Sequence, residues 1–477
     1  MSSLTDRPTR RRWLGLALIA AAQFVVIMDT SIIGVALPDI QRELGFTPES
    51  LSWVFNAYVV AFGGLLLLGG RLSDLFGARK VFIAGWAALL VGSVLAGVAG
   101  TVGVEIAGRA VQGVGAALIA PAALTLLMTL FGGTRDLPKA FAIYGAAAPI
   151  GGVTGVFLGG VLTEYASWPW VFYITIPIAV LVTIGAFFAL PAIPAARSGS
   201  IDVAGAITAT VGLTALVYGI VRAPEAGWVA AETLIAVIGG TGLLLLFFVM
   251  QSRSRQPLLR LSIFRAPQLG AANLAQVFLG AAWIPMWFFL NLYLQQVLGA
   301  GAFASGAALL PMTALIVVGM IALAPRLQAR FGSKPMIVSG LLVLSAGLVW
   351  LALVRPNGSY WIDVLPASLL AALGMALAFI PSLTTAISSA RPEETGVAAG
   401  LVNTSYQIGS AIGLAALTAV AAGFTGPTGD AVALTDGYSA AFIGAAILAL
   451  IGAAVAAIAL RPTAVVAHEP VTAEAAA

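Results

Sequence analysis

Fourteen apolar stretches, nearly free of charge and each long enough to cross a bilayer as a helix, take up most of this chain. About 18 or more such residues are needed to span the hydrocarbon core. The stretches fall near 13–38, 50–70, 81–101, 103–131, 140–163, 170–190, 203–221 and 230–250. The rest fall near 268–296, 304–324, 335–354, 362–385, 397–423 and 438–460. What lies between them is too little for a water-facing surface: 9% of residues are charged, against about 25% in soluble domains. Mean hydropathy of +1.03 agrees. The chain reads as an all-α membrane protein.

An even number of spans puts both termini on one side, and the basic residues say which. With the N-terminus in the cytoplasm, 19 Lys and Arg fall in inner segments, only Arg42, Arg222 and Arg355 fall outside, and Arg109 lies within a span. This is the positive-inside asymmetry, and a single miscounted helix would scramble it. The net charge of +4 therefore belongs to cytoplasmic loops, and no nucleic-acid partner is implied. Arg10–Arg12 resembles the basic start of a signal peptide, but the stretch that follows is too long for one and contains Asp29. It is read as an uncleaved first helix.

What is missing narrows the function. With no Cys, and with His468 in the polar tail as the only His, thiol chemistry, a Ser/His/Asp triad and an HExxH zinc site have no place in the membrane part. An enzyme is not expected, nor is a metal or other cofactor.

Two inner loops look alike: Arg71-Leu72-Ser73-Asp74-Leu75-Phe76-Gly77-Ala78-Arg79 and Arg326-Leu327-Gln328-Ala329-Arg330-Phe331-Gly332-Ser333-Lys334, offset by 255 residues. Spans 1 and 9 start at the same offset, near 13 and 268. The chain thus divides into a cytoplasmic N-terminus (1–12), a six-helix bundle (13–190), a two-helix insert with cytoplasmic linkers (191–267), a second bundle (268–460) and a cytoplasmic tail (461–477). Repeated halves with a substrate site at the midplane between them describe a secondary transporter.

Three motifs carry a resemblance. Gly70-Arg71-Leu72-Ser73-Asp74-Leu75-Phe76-Gly77-Ala78-Arg79-Lys80 is similar to the loop 2–3 motif of the major facilitator superfamily. Met28-Asp29-Thr30-Ser31 through Pro38 resembles the first-helix motif of its fourteen-helix drug:proton antiporter branch, and Arg109-Ala110-Val111-Gln112-Gly113 with Pro121 the fourth-helix motif. The resemblance implies the major facilitator fold, two six-helix bundles plus two inserted helices. It also implies a multi-pass protein of the bacterial cell membrane, acting as a monomer on small molecules and protons. The sequence departs from the family at Val156, where the antiporter motif has Pro, at Pro169 between Trp168 and Trp170, and at Tyr406.

Asp29 lies about nine residues inside its span, roughly 14 Å below the outer surface. An ionised carboxyl at that depth costs a few kcal/mol. It is a candidate proton carrier or counter-ion for a cationic substrate, the alternative being a hydrogen-bonded structural Asp. Arg109 sits about 10 Å deep by the same measure, with Glu105 one turn outward in the favourable i, i+4 order. A plain Glu105–Arg109 pair is the structural alternative; the resemblance implies a proton-coupling group of Asp29, Arg109 and Glu105. Candidate substrate lining is Asn56 and Gln112 in the first half and Gln276, Trp287, Asn291, Gln295, Asn403 and Gln407 in the second, although helix–helix hydrogen bonding explains each taken alone. Gly70, Arg71, Asp74, Gly77, Arg79 and Lys80 read either as an ordinary basic loop or, by resemblance, as a conformational latch. Gly151, Gly155 and Gly159 form a small face for close helix packing. The expected function is proton-coupled export of hydrophobic or cationic compounds, with proton-coupled transport of one specific metabolite as the alternative.

Overall fold

The computed structural model describes residues 9–132, 134–192, 202–254, 257–266, 268–390, 395–426 and 430–461. Arg7, Arg197, Arg255, Arg391 and His468 lie outside them, as does the side chain of Asp74. Among the described residues, fourteen helices are long and apolar enough to cross a membrane. They are α1 (Arg11–Leu44), α2 (Ser50–Ser73), α3 (Ala78–Gly97), α4 (Val102–Phe131), α5 (Ile143–Tyr165), α6 (Trp170–Ala189), α7 (Val203–Ala226) and α8 (Ala231–Arg253). The second set is α9 (Leu269–Val297), α10 (Ala302–Phe331), α11 (Ser333–Leu351), α12 (Tyr360–Ser389), α13 (Gly400–Phe424) and α14 (Ala431–Ala459).

The repeat read from two loops recurs in the packing. In the first half α1 packs on α5 and α6, α4 on α2 and α3, and α3 on α6. In the second half α9 packs on α13 and α14, α12 on α10 and α11, and α11 on α14. Two seams join the halves, α5 against α10 and α2 against α13, and these too are equivalent to each other. The inserted α7 and α8 pack mainly on one another, and α7 rests on α2 and α13. The insert therefore covers one seam and leaves the other without a counterpart.

Small residues set these contacts. A Cβ on Gly151, Gly155 or Gly159 would come within 2.3, 2.7 and 2.7 Å of the carbonyls of Phe24, Met28 and Ile32. The fourfold spacing thus forms a ridge of bare backbone lying directly on α1. The seam continues it: Gly306 of α10 meets the carbonyl of Val156, which is buried where the family has Pro. The α2–α3 and α10–α11 turns are alike in detail. Gly77 (φ 91°) donates its N–H to Ser73 O at 3.0 Å, and Gly332 (φ 84°) donates to Gln328 O at 2.8 Å. A positive φ there is what fixes glycine in both copies.

Candidate functional site

Asp29, near the middle of α1, and Arg109, two turns into α4, are both completely buried. Their side chains meet at 2.7 Å between Arg109 Nη1 and Asp29 Oδ2. Two charges taken out of water survive only if their remaining donors and acceptors are also satisfied. Most are. Arg109 Nη1 also donates to Gln112 Oε1 at 2.7 Å, and Nε donates to the Val54 carbonyl of α2 at 2.9 Å. Gln112 Nε2 donates to Asp29 Oδ1 at 3.0 Å and to Ser93 Oγ of α3 at 2.9 Å. Thr175 Oγ1 of α6 sits 2.7 Å from Ser93 Oγ. The guanidinium also lies over Tyr58, 4.7 Å from the ring centroid, with Phe172 at 5.9 Å, a cation–π arrangement strengthened by the dry surroundings. Five helices of the first half thus converge on one ion pair.

Glu105 does not belong to that pair. Among the described residues no ion pair joins it to Arg109, so the structural i, i+4 pairing is corrected: the arginine reaches across to α1 instead. Glu105 is itself fully buried, and neither of its carboxyl oxygens has a hydrogen-bond partner. Arg109 Nη2 is likewise unpartnered. Gln112, expected to line a cavity, belongs to the Asp29 network.

Of the remaining expected lining, Trp287, Asn291, Gln295 and Gln407 lie where the halves face each other. Gly34 of α1 lies against Trp287 and Asn291 of α9, and Gly63 of α2 lies against Gln407 of α13. Asn56 is buried with both amide atoms unpartnered; Trp287 Nε1, Asn291 Oδ1 and Gln276 Oε1 are unpartnered as well. Gln276 Nε2 donates to Ser382 Oγ at 2.7 Å, within the second half. Asn403 is half-buried. Gln295 is different, because its Nε2 donates to the Val35 carbonyl at 2.8 Å and ties α9 to α1. Next to it, Gln296 Nε2 donates to Gln41 Oε1 at 2.9 Å and Tyr438 donates to Gln296 Oε1 at 2.5 Å. Both glutamines lie on a π-helical turn, Tyr293–Val297, that ends α9. They border a cavity of about 430 Å³ at the outer ends of α1, α5, α9 and α10, together with Asp39, Arg42 and Glu164.

On the inner side, Gly77 makes the turn, Lys80 is exposed, and Arg79 Nη1 donates to Leu190 O at the end of α6 at 3.3 Å. Arg71 is half-buried at the end of α2. Gly70 has room around it, whereas a Cβ on its neighbour Gly69 would fall 2.0 Å from the Ala117 carbonyl of α4. Of the groups around Arg109, Ser93, Thr175, Tyr58 and the Val54 carbonyl were not singled out from the sequence. Hydroxyls and aromatics are common in membrane helices, and no spacing marks these.

Residues 19–414 match the sequence profile of the Major Facilitator Superfamily. A cephamycin export protein of Amycolatopsis lactamdurans is 37% identical over 94% of this chain and 92% of its own length. A puromycin resistance protein of Streptomyces alboniger is 35% identical over 89% of this chain and 84% of its own. The crystal structure of the human organic anion transporter MFSD10 superposes with a TM-score of 0.63 at 17% identity, covering 94% of this chain and all of that one, a likeness of fold. The chain is a multi-pass membrane protein of fourteen spans, and it belongs to the Major Facilitator Superfamily.

Proposed function

We propose that this protein exports small hydrophobic or cationic compounds, antibiotics among them, across the bacterial cell membrane in exchange for protons. The observation that carries the reading is the fully buried Asp29–Arg109 pair. An intramembrane carboxylate is functional by default because its charge is costly at that depth. Proton and substrate compete for it: a proton removes the charge that Arg109 neutralises, and a cationic substrate competes with Arg109 for the carboxylate. Asp29, Arg109 and Glu105 form the coupling group.

Substrate binds between the halves, where Trp287 and Asn291 face Gly34 and keep unpartnered polar atoms, with the unpartnered amide atoms of Asn56 and Gln276 as further lining from the two halves. Each buried polar atom left unpaired costs about 1–3 kcal/mol, and a polar group on a bound molecule offsets that cost. Gln295, Asn403 and Gln407 complete the lining. The halves 13–190 and 268–460 rock as bodies about this site. The loop of Gly70, Arg71, Asp74, Gly77, Arg79 and Lys80 is the latch that sets which face is open. The protein acts as a monomer. The relatives named for export of a cephamycin and for puromycin resistance support the drug-export reading.

The test is purified protein in liposomes with an imposed proton gradient, following puromycin, a cephamycin and tetraphenylphosphonium in separate runs. Uphill movement with proton counterflow is expected, and Asp29→Asn abolishes it. Unchanged gradient-driven transport in Asp29→Asn removes the coupling from this site. Movement of none of the three probes overturns the substrate class.

A further inference from the structure

The coupling group holds two buried carboxylates, Asp29 and Glu105, and a single buried guanidinium, and the structure pairs that guanidinium with only one of them. Glu105 is one helical turn outward from Arg109 on α4, completely buried, with both oxygens unpartnered. Arg109 uses Nη1 and Nε and leaves Nη2 without a partner. A residue i, i+4 from an arginine on one helix is within reach of its side chain. The N-terminus of α4 adds to this. Thr101 caps it, its Oγ1 accepting from Val104 N–H at 3.4 Å, and Glu105 stands in the first turn. There the helix dipole favours negative charge. Glu105 is therefore placed for an ionised state that the present pairing does not use.

Resting on the coupling reading above, we infer that Arg109 alternates between two carboxylates, and that Glu105 is the outer station of a proton relay whose inner station is Asp29. Arg109 is the only buried cation among the described residues. The trio is neutral when one of the two acids is ionised, so the proton and the guanidinium move in opposite directions. A proton taken from outside protonates Glu105, and Arg109 lies on Asp29, the arrangement seen here. The proton then passes inward: the O–H bond at Glu105 breaks, one forms at Asp29, and Arg109 crosses to Glu105. This transfer leaves the trio's charge unchanged. Asp29 then releases its proton to the inside, which leaves the trio at minus one until the next proton from outside protonates Glu105 and Arg109 returns to Asp29. Tyr58, whose ring underlies the guanidinium, and Gln112, which holds Asp29 and Arg109 together, accompany the inner position. Glu105 is thus a positioning and relay residue and is not part of the substrate lining.

The experiment compares wild type, Glu105→Gln, Glu105→Asp and Asp29→Asn in liposomes, with tetraphenylphosphonium as probe. Two readouts are taken: transport driven by a proton gradient, and probe-for-probe exchange without one. For Glu105→Gln, gradient-driven transport falls about tenfold, the scale of a coupling energy of 1–3 kcal/mol, while exchange stays at the wild-type level. Glu105→Asp, which keeps a carboxyl, recovers part of the driven transport. Thermal unfolding of Glu105→Gln matches wild type, which separates lost coupling from lost fold. Wild-type driven transport in Glu105→Gln overturns the relay. If Asp29→Asn alone is defective, coupling rests on Asp29 with Arg109, Glu105 leaves the coupling group and the relay falls. If neither variant is defective, both fall. Equal loss of driven transport and of exchange in Glu105→Gln assigns Glu105 to substrate binding and also overturns the relay.

Discussion

Where Gly155 of α5 rests on the Met28 carbonyl of α1, Gly413 of α13 rests on the Ala281 carbonyl of α9. One residue further along, the first half has Asp29 and the second has Ala282, both fully buried. The same comparison runs through α4 and α12. Gly92 packs on Gly108 O and Gln112 N, and Gly347 packs on Ala367 O and Ala371 N. In that register Arg109 corresponds to Ser368 and Gln112 to Ala371. The second half builds the same helix contacts around alanine and a serine whose hydroxyl bonds within its own helix, to Leu365 O. The second half thus makes the same helix contacts without buried charges at these positions.

The sharpest way to break this comparison is to make the first half resemble the second in chemistry while keeping its volume. Asp29→Leu combined with Arg109→Met is expected to abolish gradient-driven transport. Stability stays within about 1–4 kcal/mol of wild type or rises, since well-packed apolar pairs commonly match buried ion pairs. Unfolding followed by tryptophan fluorescence, alongside liposome transport, gives both quantities. A double variant that cannot be inserted or purified would make the charges part of the fold.

Arg109→Met alone leaves Asp29 buried without its cation and is expected to cost about 3–5 kcal/mol. The single change should be worse than the double, an inversion readable from the two unfolding midpoints. Next in size are matched glycine changes. Gly155→Val and Gly413→Val each push a side chain into a backbone carbonyl, at an expected cost of about 1–3 kcal/mol. The two should be alike, because they test what the halves share. A large disparity would mean that one bundle tolerates strain the other does not.

The smallest effect is at the outer contact. Gln296→Ala removes hydrogen bonds to Gln41 and Tyr438, worth about 1 kcal/mol each, and should favour separation of the outer ends. The chain has no Cys, so one placed at exposed Gly301 reports this directly. It should react faster with an impermeant maleimide from outside when Gln296 is Ala. An unchanged rate would leave the α1–α9 contact without influence on opening.

Much of this was legible in the sequence because the bilayer imposes simple rules. Helix number follows from apolar length, orientation from Arg and Lys, and the repeat from two loops whose glycines share a positive φ. Asp29 and Arg109 stood out because charge is rare inside an apolar span, and both are completely buried. Their mutual distance was not legible, since nothing in one dimension says that α1 and α4 approach each other there. Gln112 shows the limit most clearly. On its own helix it is one more polar residue, and only the fold brings its amide onto Asp29. Glu105 shows it from the other side: the i, i+4 spacing suggested a pair, and a competing partner on α1 won.

Under the proposed coupling, Arg109, the only buried cation among the described residues, also sets a thermodynamic ceiling. With one positive charge to be compensated, the cluster would carry one exchangeable proton per turnover. A proton falling through about 100 mV releases about 2.3 kcal/mol. That amount of work sustains a gradient of roughly fiftyfold for an uncharged compound, at about 1.4 kcal/mol per tenfold. A monovalent cation leaving as one proton enters moves no net charge, so its export draws on the pH difference alone and is indifferent to membrane voltage. A neutral passenger draws on both. On that reading a neutral molecule is driven outward in any energised cell, whereas a monovalent cation is driven outward only where the medium is more acidic than the cell.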